Sequence, residues 1–130
     1  MREPLWLDRS EVEAIHLSQV REHGGSHGLR DEGLLESAVA RPKNVWQYEE
    51  DPDLPMLAGA LAFGLVRNHP FVDGNKRVGF MAAYTFLLLN RLELDAPEPE
   101  AVFVIRDVAA GELGEPELVA WLRQRSVPVV

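Results

Sequence analysis

The sequence predicts an all-α single domain of six helices, in which a short polar loop joins two buried central helices. Three observations carry that reading. The segments 56–66 and 78–89 are apolar on nearly every side, as helices enclosed by other helices are. Caps and breakers divide the flanking sequence into further helical segments. A chain of 130 residues that is 46 % hydrophobic suits one core, burying roughly two thirds of its unfolded surface, so residues 1–130 read as one domain.

The elements follow in order. Ser10-Glu11-Val12-Glu13 has capping-box spacing and predicts a first helix to about Glu22, stopped by Gly24-Gly25. After a glycine-rich loop, Asp31 is an N-cap for a second helix through Leu34, Leu35, Ala38 and Val39, which Pro42 is expected to end. Residues 42–55 mix Trp46, Tyr48, three consecutive acids and three prolines, which predicts a long non-helical connection. Pro55 suits the first turn of the third helix, and the fourth starts near Asn75 and ends at Asn90-Arg91. Leu92-Glu93-Leu94 reads as extended, Pro97 and Pro99 as a break, and residues 101–110 and 116–125 as the fifth and sixth helices.

The formal net charge of -8 and the isoelectric point near 4.9 argue against a nucleic-acid surface, which rests on clustered Lys and Arg. A protein partner fits better. The absence of cysteine excludes disulfides and thiolate chemistry. The first residues lack the apolar core of a signal peptide, and residues 78–89 fall short of the roughly 20 needed to cross a bilayer, so a cytoplasmic protein without a membrane role is expected.

The chemistry-bearing segment is His69-Pro70-Phe71-Val72-Asp73-Gly74-Asn75-Lys76-Arg77. With Asn75 opening a helix, the N–H groups of Gly74, Asn75, Lys76 and Arg77 form an anion site at the positive end of the helix dipole. Gly74 permits close approach of a phosphate, while Lys76 adds a point charge and Arg77 a planar fork of donors. Structural design would put acids in that first turn, so two cations there argue for a bound anion. Asp73 has the hard oxygens that Mg²⁺ prefers, and His69 is able to take a proton from a hydroxyl. Asp73 also suits an N-cap, Asn75 suits either a phosphate or the turn itself, and Arg67 suits either a further cation or a solvated helix end. His16, His23 and His27 read as structural.

These residues match H-x-F-x-[DE]-G-N-x-R at every fixed position, and the chain therefore resembles the Fic/Doc superfamily. Gly24-Gly25, Gly28-Leu29-Arg30-Asp31, Leu34 to Ala38 and Ala40-Arg41-Pro42 resemble its death-on-curing branch, over roughly residues 5–122. The resemblance implies a six-helix Fic/Doc fold with ATP and Mg²⁺ at the central loop. It also implies a toxin of a type II toxin–antitoxin system. AMP-transferring relatives carry Gly where this chain has Lys76 and a second Arg where it has Phe80. The death-on-curing branch shares Asn-Lys-Arg, which implies a reversed nucleotide offering its γ-phosphate to a threonine of elongation factor Tu, arresting translation. Catalytic roles then fall to His69, Asp73, Lys76 and Arg77, phosphate binding to Gly74, Asn75, Lys76 and Arg77, and the metal to Asp73. Residues 42–55 would be the flap that holds the target peptide, with Trp46 and Tyr48 touching it. A cognate antitoxin, Phd-like or other, is implied as the partner whose C-terminal segment covers the site. AMP transfer, a catalytically silent antitoxin-binding module and metal-dependent hydrolysis through His69 and Asp73 are the competing readings.

Overall fold

Cap chemistry sets where the helices begin. In the computed structural model, which describes all 130 residues, the first helix α1 spans Arg9–His23 and is capped by Asp8, not Ser10. The sequence holds two overlapping capping-box registers, Asp8 to Glu11 and Ser10 to Glu13. The first wins because a carboxylate at the positive helix end is the stronger acceptor, and because Arg9 engages Glu13 at 2.7 Å. Asp8 accepts from the Glu11 N–H at 2.9 Å and Glu11 accepts from the Asp8 N–H at 3.1 Å.

Asp31 caps α2, Glu32–Tyr48, as expected. Pro42 does not end this helix, and the expected loop over residues 42–55 shrinks to the short connection before Asp53. The reason is packing. Leu35, Ala38 and Pro42 are buried at helical spacing along one stripe, with Val45 and Trp46 half-buried beyond it against the same core. The hydrogen bond that proline removes costs roughly 3 kcal/mol, and burial along the continued stripe offsets it.

Helix α3, Leu54–Asn68, takes Asp53 as N-cap and Pro55 in its first turn, and α4 covers Asn75–Leu89. Strand β1, Leu92–Leu94, leads to α5, Glu98–Ala110, which begins earlier than expected because Pro99 is accommodated in its first turn. After α6, Glu115–Arg125, the chain forms β2, Ser126–Pro128, antiparallel to β1 with Leu92 opposite Pro128 and Leu94 opposite Ser126. Three residues ending in proline carry too little pattern to announce a strand.

Helix α3 is the hub of the domain, buried continuously from Leu57 to Ala62 and packed against α2, α4, α5 and α6. Small residues let the axes approach. A Cβ at Gly59 would lie 2.5 Å from Val119, one at Gly64 2.7 Å from Arg41, and one at Gly79 of α4 2.5 Å from Val66. The α3–α4 pair is thereby fixed tightly, and the loop between them inherits its position. No helix is long and apolar enough to cross a membrane. Gly79→Ala tests the close approach: overpacking at roughly 1–3 kcal/mol outweighs the about 1 kcal/mol gained in helix propensity. The urea midpoint is expected to fall, and a rise would show that the crossing has slack.

Candidate active site

The loop from His69 to Gly74 leaves α3 through an unusual conformation. His69 is the α3 C-cap with φ 55° and ψ 54°, one of two non-glycine residues in the chain with positive φ. Such a conformation persists only when its surroundings hold it. Here Arg30 does so, donating from Nε to the His69 carbonyl at 2.7 Å and from a terminal nitrogen to the Asn68 carbonyl at 3.0 Å. The neighbouring backbone adds strand-like bonds: Arg30 and Asp31 N–H to the Pro70 carbonyl, and Val72 N–H to the Gly28 carbonyl. The Gly28-Leu29-Arg30-Asp31 run therefore splints the loop.

Inside the loop, the Asn75 side chain accepts from the Phe71 N–H and donates to the Phe71 carbonyl, both at 2.9 Å and both buried. Of the two roles left open for Asn75, its side chain serves the turn, and only its backbone N–H remains for an anion. Gly74, at φ 80°, is the α4 N-cap and brings no capping side chain. Asp73 is thus not the cap. The N–H groups of Asn75, Lys76 and Arg77 consequently have no acceptor within the chain, whereas Val78 N–H bonds the Gly74 carbonyl. The first turns of α1, α2, α5 and α6 all carry acids, while that of α4 carries none and holds Lys76 and Arg77.

Asp73 is exposed, and each of its carboxylate oxygens accepts from one backbone donor. Its Oδ2 accepts from the Ser26 N–H at 3.2 Å and its Oδ1 from the Gly74 N–H at 2.8 Å. These two hydrogen bonds, followed by the charge of Arg77, hold the carboxyl below its ordinary range despite some desolvation. It is ionised at neutral pH and keeps lone pairs for a cation. Arg77 itself donates to the Gly24 carbonyl at 3.2 Å.

One cavity of about 400 Å³ is lined by His69, Asp73, Gly74, Asn75, Lys76 and Arg77, with Val66, Arg67 and Ala109 completing the wall. The six loop residues singled out from the sequence therefore meet at one place. Arg67 joins them, although its guanidinium lies 5.6 Å over the Phe63 ring and reaches the Val108 carbonyl at 3.4 Å. A second, larger groove of about 690 Å³ shares Lys76 and Arg77 and continues over Phe80, Tyr84, Ala101 and Ile105. Trp46 and Tyr48 line neither cavity. Both belong to α2, where Trp46 packs edge-on against Trp6 at 6.3 Å and Tyr48 stands 84 % exposed. The extended flap expected there is corrected to helix, for the packing reason given above.

Three residues were missed as site components. His16, which the sequence alone reads as structural, is buried and reaches the loop. Its signal was a polar residue on the stripe Val12, His16, Gln19, Val20. Arg30 carried no signal beyond resemblance. Gly25 is demanded by conformation and space, with φ 118° and a Cβ that would fall 2.7 Å from Asp73 Oδ2.

The Fic/DOC family model matches residues 6–87. The "Toxin Doc" of Mycolicibacterium smegmatis (strain ATCC 700084 / mc(2)155) is 49 % identical over 92 residues, covering 70 % of this chain and 68 % of that protein. The "Protein kinase doc" of Escherichia phage P1 is 30 % identical over 119 residues, covering 91 % of this chain and 93 % of its own.

Because the folded-state pKa of Asp73 is depressed, its contribution to stability is complete above its unfolded midpoint and disappears as pH falls through the folded one. Gly25→Ala is expected to displace the Ser26 N–H and raise the Asp73 midpoint, followed by ¹³C NMR of the carboxyl. An unchanged midpoint would mean that the Gly25 loop does not tune Asp73.

Proposed function

The chain belongs to the Fic/DOC family, and from that premise we propose that it is the toxin of a type II toxin–antitoxin pair, transferring the γ-phosphate of ATP to a threonine hydroxyl of a translation factor, with elongation factor Tu the expected target. One observation carries the reading: His69, Asp73 and the unpaired N–H groups of α4 with Lys76 and Arg77 line the same cavity. Phosphoryl transfer needs little covalent help from a protein and depends on positioning and charge, which this set supplies.

The His69 ring has no hydrogen-bond partner within the chain and borders the cavity, so it is free to receive the hydroxyl proton. The hydroxyl oxygen then bonds to Pγ as the Pγ–O bond to the β-phosphate breaks, and ADP leaves. The N–H groups of Asn75, Lys76 and Arg77 hold phosphate oxygens, Lys76 and Arg77 neutralise them, and Gly74 leaves room beside the backbone. Asp73 fits Mg²⁺, because it is an ionised, backbone-braced carboxylate next to that cradle, and Mg²⁺ commonly takes one or two carboxylates with the rest from phosphate and water. Bound there, the ion would neutralise charge developing on the phosphates.

γ-Phosphate transfer rather than AMP transfer is favoured by the residues themselves. Lys76 stands where AMP-transferring relatives carry Gly. Phe80, where they carry a second Arg, faces the neighbouring groove and adds no cation. The name of the phage relative, "Protein kinase doc", agrees with this reading. An antitoxin segment is expected to occupy the apolar groove that shares Lys76 and Arg77, and so to meet the site from its side.

ATP labelled at the γ position is expected to mark the target, whereas label arriving only from the α position would replace the kinase reading by AMP transfer. His69→Ala should lower the transfer rate roughly 10²- to 10⁴-fold. A near-normal rate would remove His69 as the base.

A further inference from the structure

Only three polar residues are buried in this chain, His16, Gln19 and Asn75. Two of them, from different helices, hydrogen-bond the backbone of the same five-residue turn, Phe71 to Gly74 closing on Asn75. Burying a polar side chain is costly unless it is fully paired, and an apolar residue would serve packing alone at less expense in free energy. The His16 position therefore calls for an explanation beyond filling space.

The geometry supplies one. The Asp73 carbonyl oxygen is only an acceptor, so His16 Nε2, 2.7 Å away, carries the proton and donates. The His16 ring also lies flat on the buried Phe71 ring, with centroids 3.8 Å apart and planes 7° from parallel, and its edge lies against Gly74. Drawing the Asp73 carbonyl toward α1 turns the N–H of the same peptide the opposite way. That N–H, on Gly74, is the one that meets Asp73 Oδ1 at 2.8 Å. We propose that His16 is a positioning residue of the phosphate-transfer site, whose Nε2–H locks the Asp73–Gly74 peptide so that the Asp73 carboxylate and the start of α4 face the cavity together. This rests on the reading of His69 to Arg77 as a site for a metal-bound triphosphate, and gives α1 a part in it.

The two contacts separate by substitution. His16→Phe keeps a ring on Phe71 and loses the donor, while His16→Gln keeps an N–H donor at similar reach and loses the ring. The full chain is measured in two ways: calorimetric binding of ATP with Mg²⁺ in the absence of any target, and the kcat and KM of transfer to the target. Thermal unfolding controls for fold. Loss of a hydrogen bond that orients a metal-ligating group typically lowers affinity or activity 10- to 100-fold. His16→Phe is expected to weaken Mg²⁺-dependent ATP binding at least tenfold and to lower kcat with little change in KM for the target, and His16→Gln to recover most of both. Wild-type binding and kcat in a folded His16→Phe would overturn the proposal. So would a folded His16→Gln as impaired as His69→Ala, which also decides the matter should His16→Phe not fold. If the wild-type chain transfers no γ-phosphate, the kinase reading fails by itself, and the binding arm still decides the role of His16.

Discussion

The paired hydrogen bonds between the Asn75 side chain and the Phe71 backbone are the constraint on which the rest of the molecule depends. A buried amide left unpaired would cost about 1–3 kcal/mol, so the turn either closes with both bonds made or not at all. Once closed, it fixes where α4 begins. That in turn fixes which N–H groups lack partners and on which side Asp73, Lys76 and Arg77 emerge. His69 is brought to the same cavity from the other end of the loop, held in its left-handed conformation by the Arg30 fork.

The scaffold serves that turn. Helices α3 and α4 approach closely because Gly79 presents no side chain at their crossing, and α3 is enclosed by four other helices. A rigid frame of this kind lets an exposed loop keep a defined geometry. The electrostatic pattern is consistent with it: acids occupy the first turns of four helices, where they complement the dipole, and cations occupy that of α4, where they oppose it. That an acidic chain concentrates Lys76 and Arg77 at one helix start, lining a cavity, is the charge pattern on which the proposed phosphate site rests.

Much of this was legible in the sequence, because the informative features were local. The two apolar helices, the loop between them and the convergence of His69 with Asp73 to Arg77 follow from contiguous residues whose periodicity and caps are explicit. What could not be read was tertiary. Pro42 looked like a helix stop until the buried stripe through Leu35, Ala38 and Pro42 carried α2 past it, and Trp46 and Tyr48 moved from an expected flap onto a helix. The choice between the caps Asp8 and Ser10 turned on the engagement of Glu13 by Arg9. His16 lies 57 residues from the carbonyl it holds, and no local pattern announces such a contact.

On the proposed reading, phosphate binds at the start of α4. The most direct measurement is a titration of isotopically labelled protein with ATP and Mg²⁺, followed through backbone amide signals in ¹H–¹⁵N spectra. The amides of Asn75, Lys76 and Arg77, free of internal acceptors in the structure, are expected to show the largest downfield proton shifts, saturating with one equivalent of nucleotide bound. Saturable shifts confined to the groove around Tyr84 and Ile105, with those three amides unmoved, would contradict it.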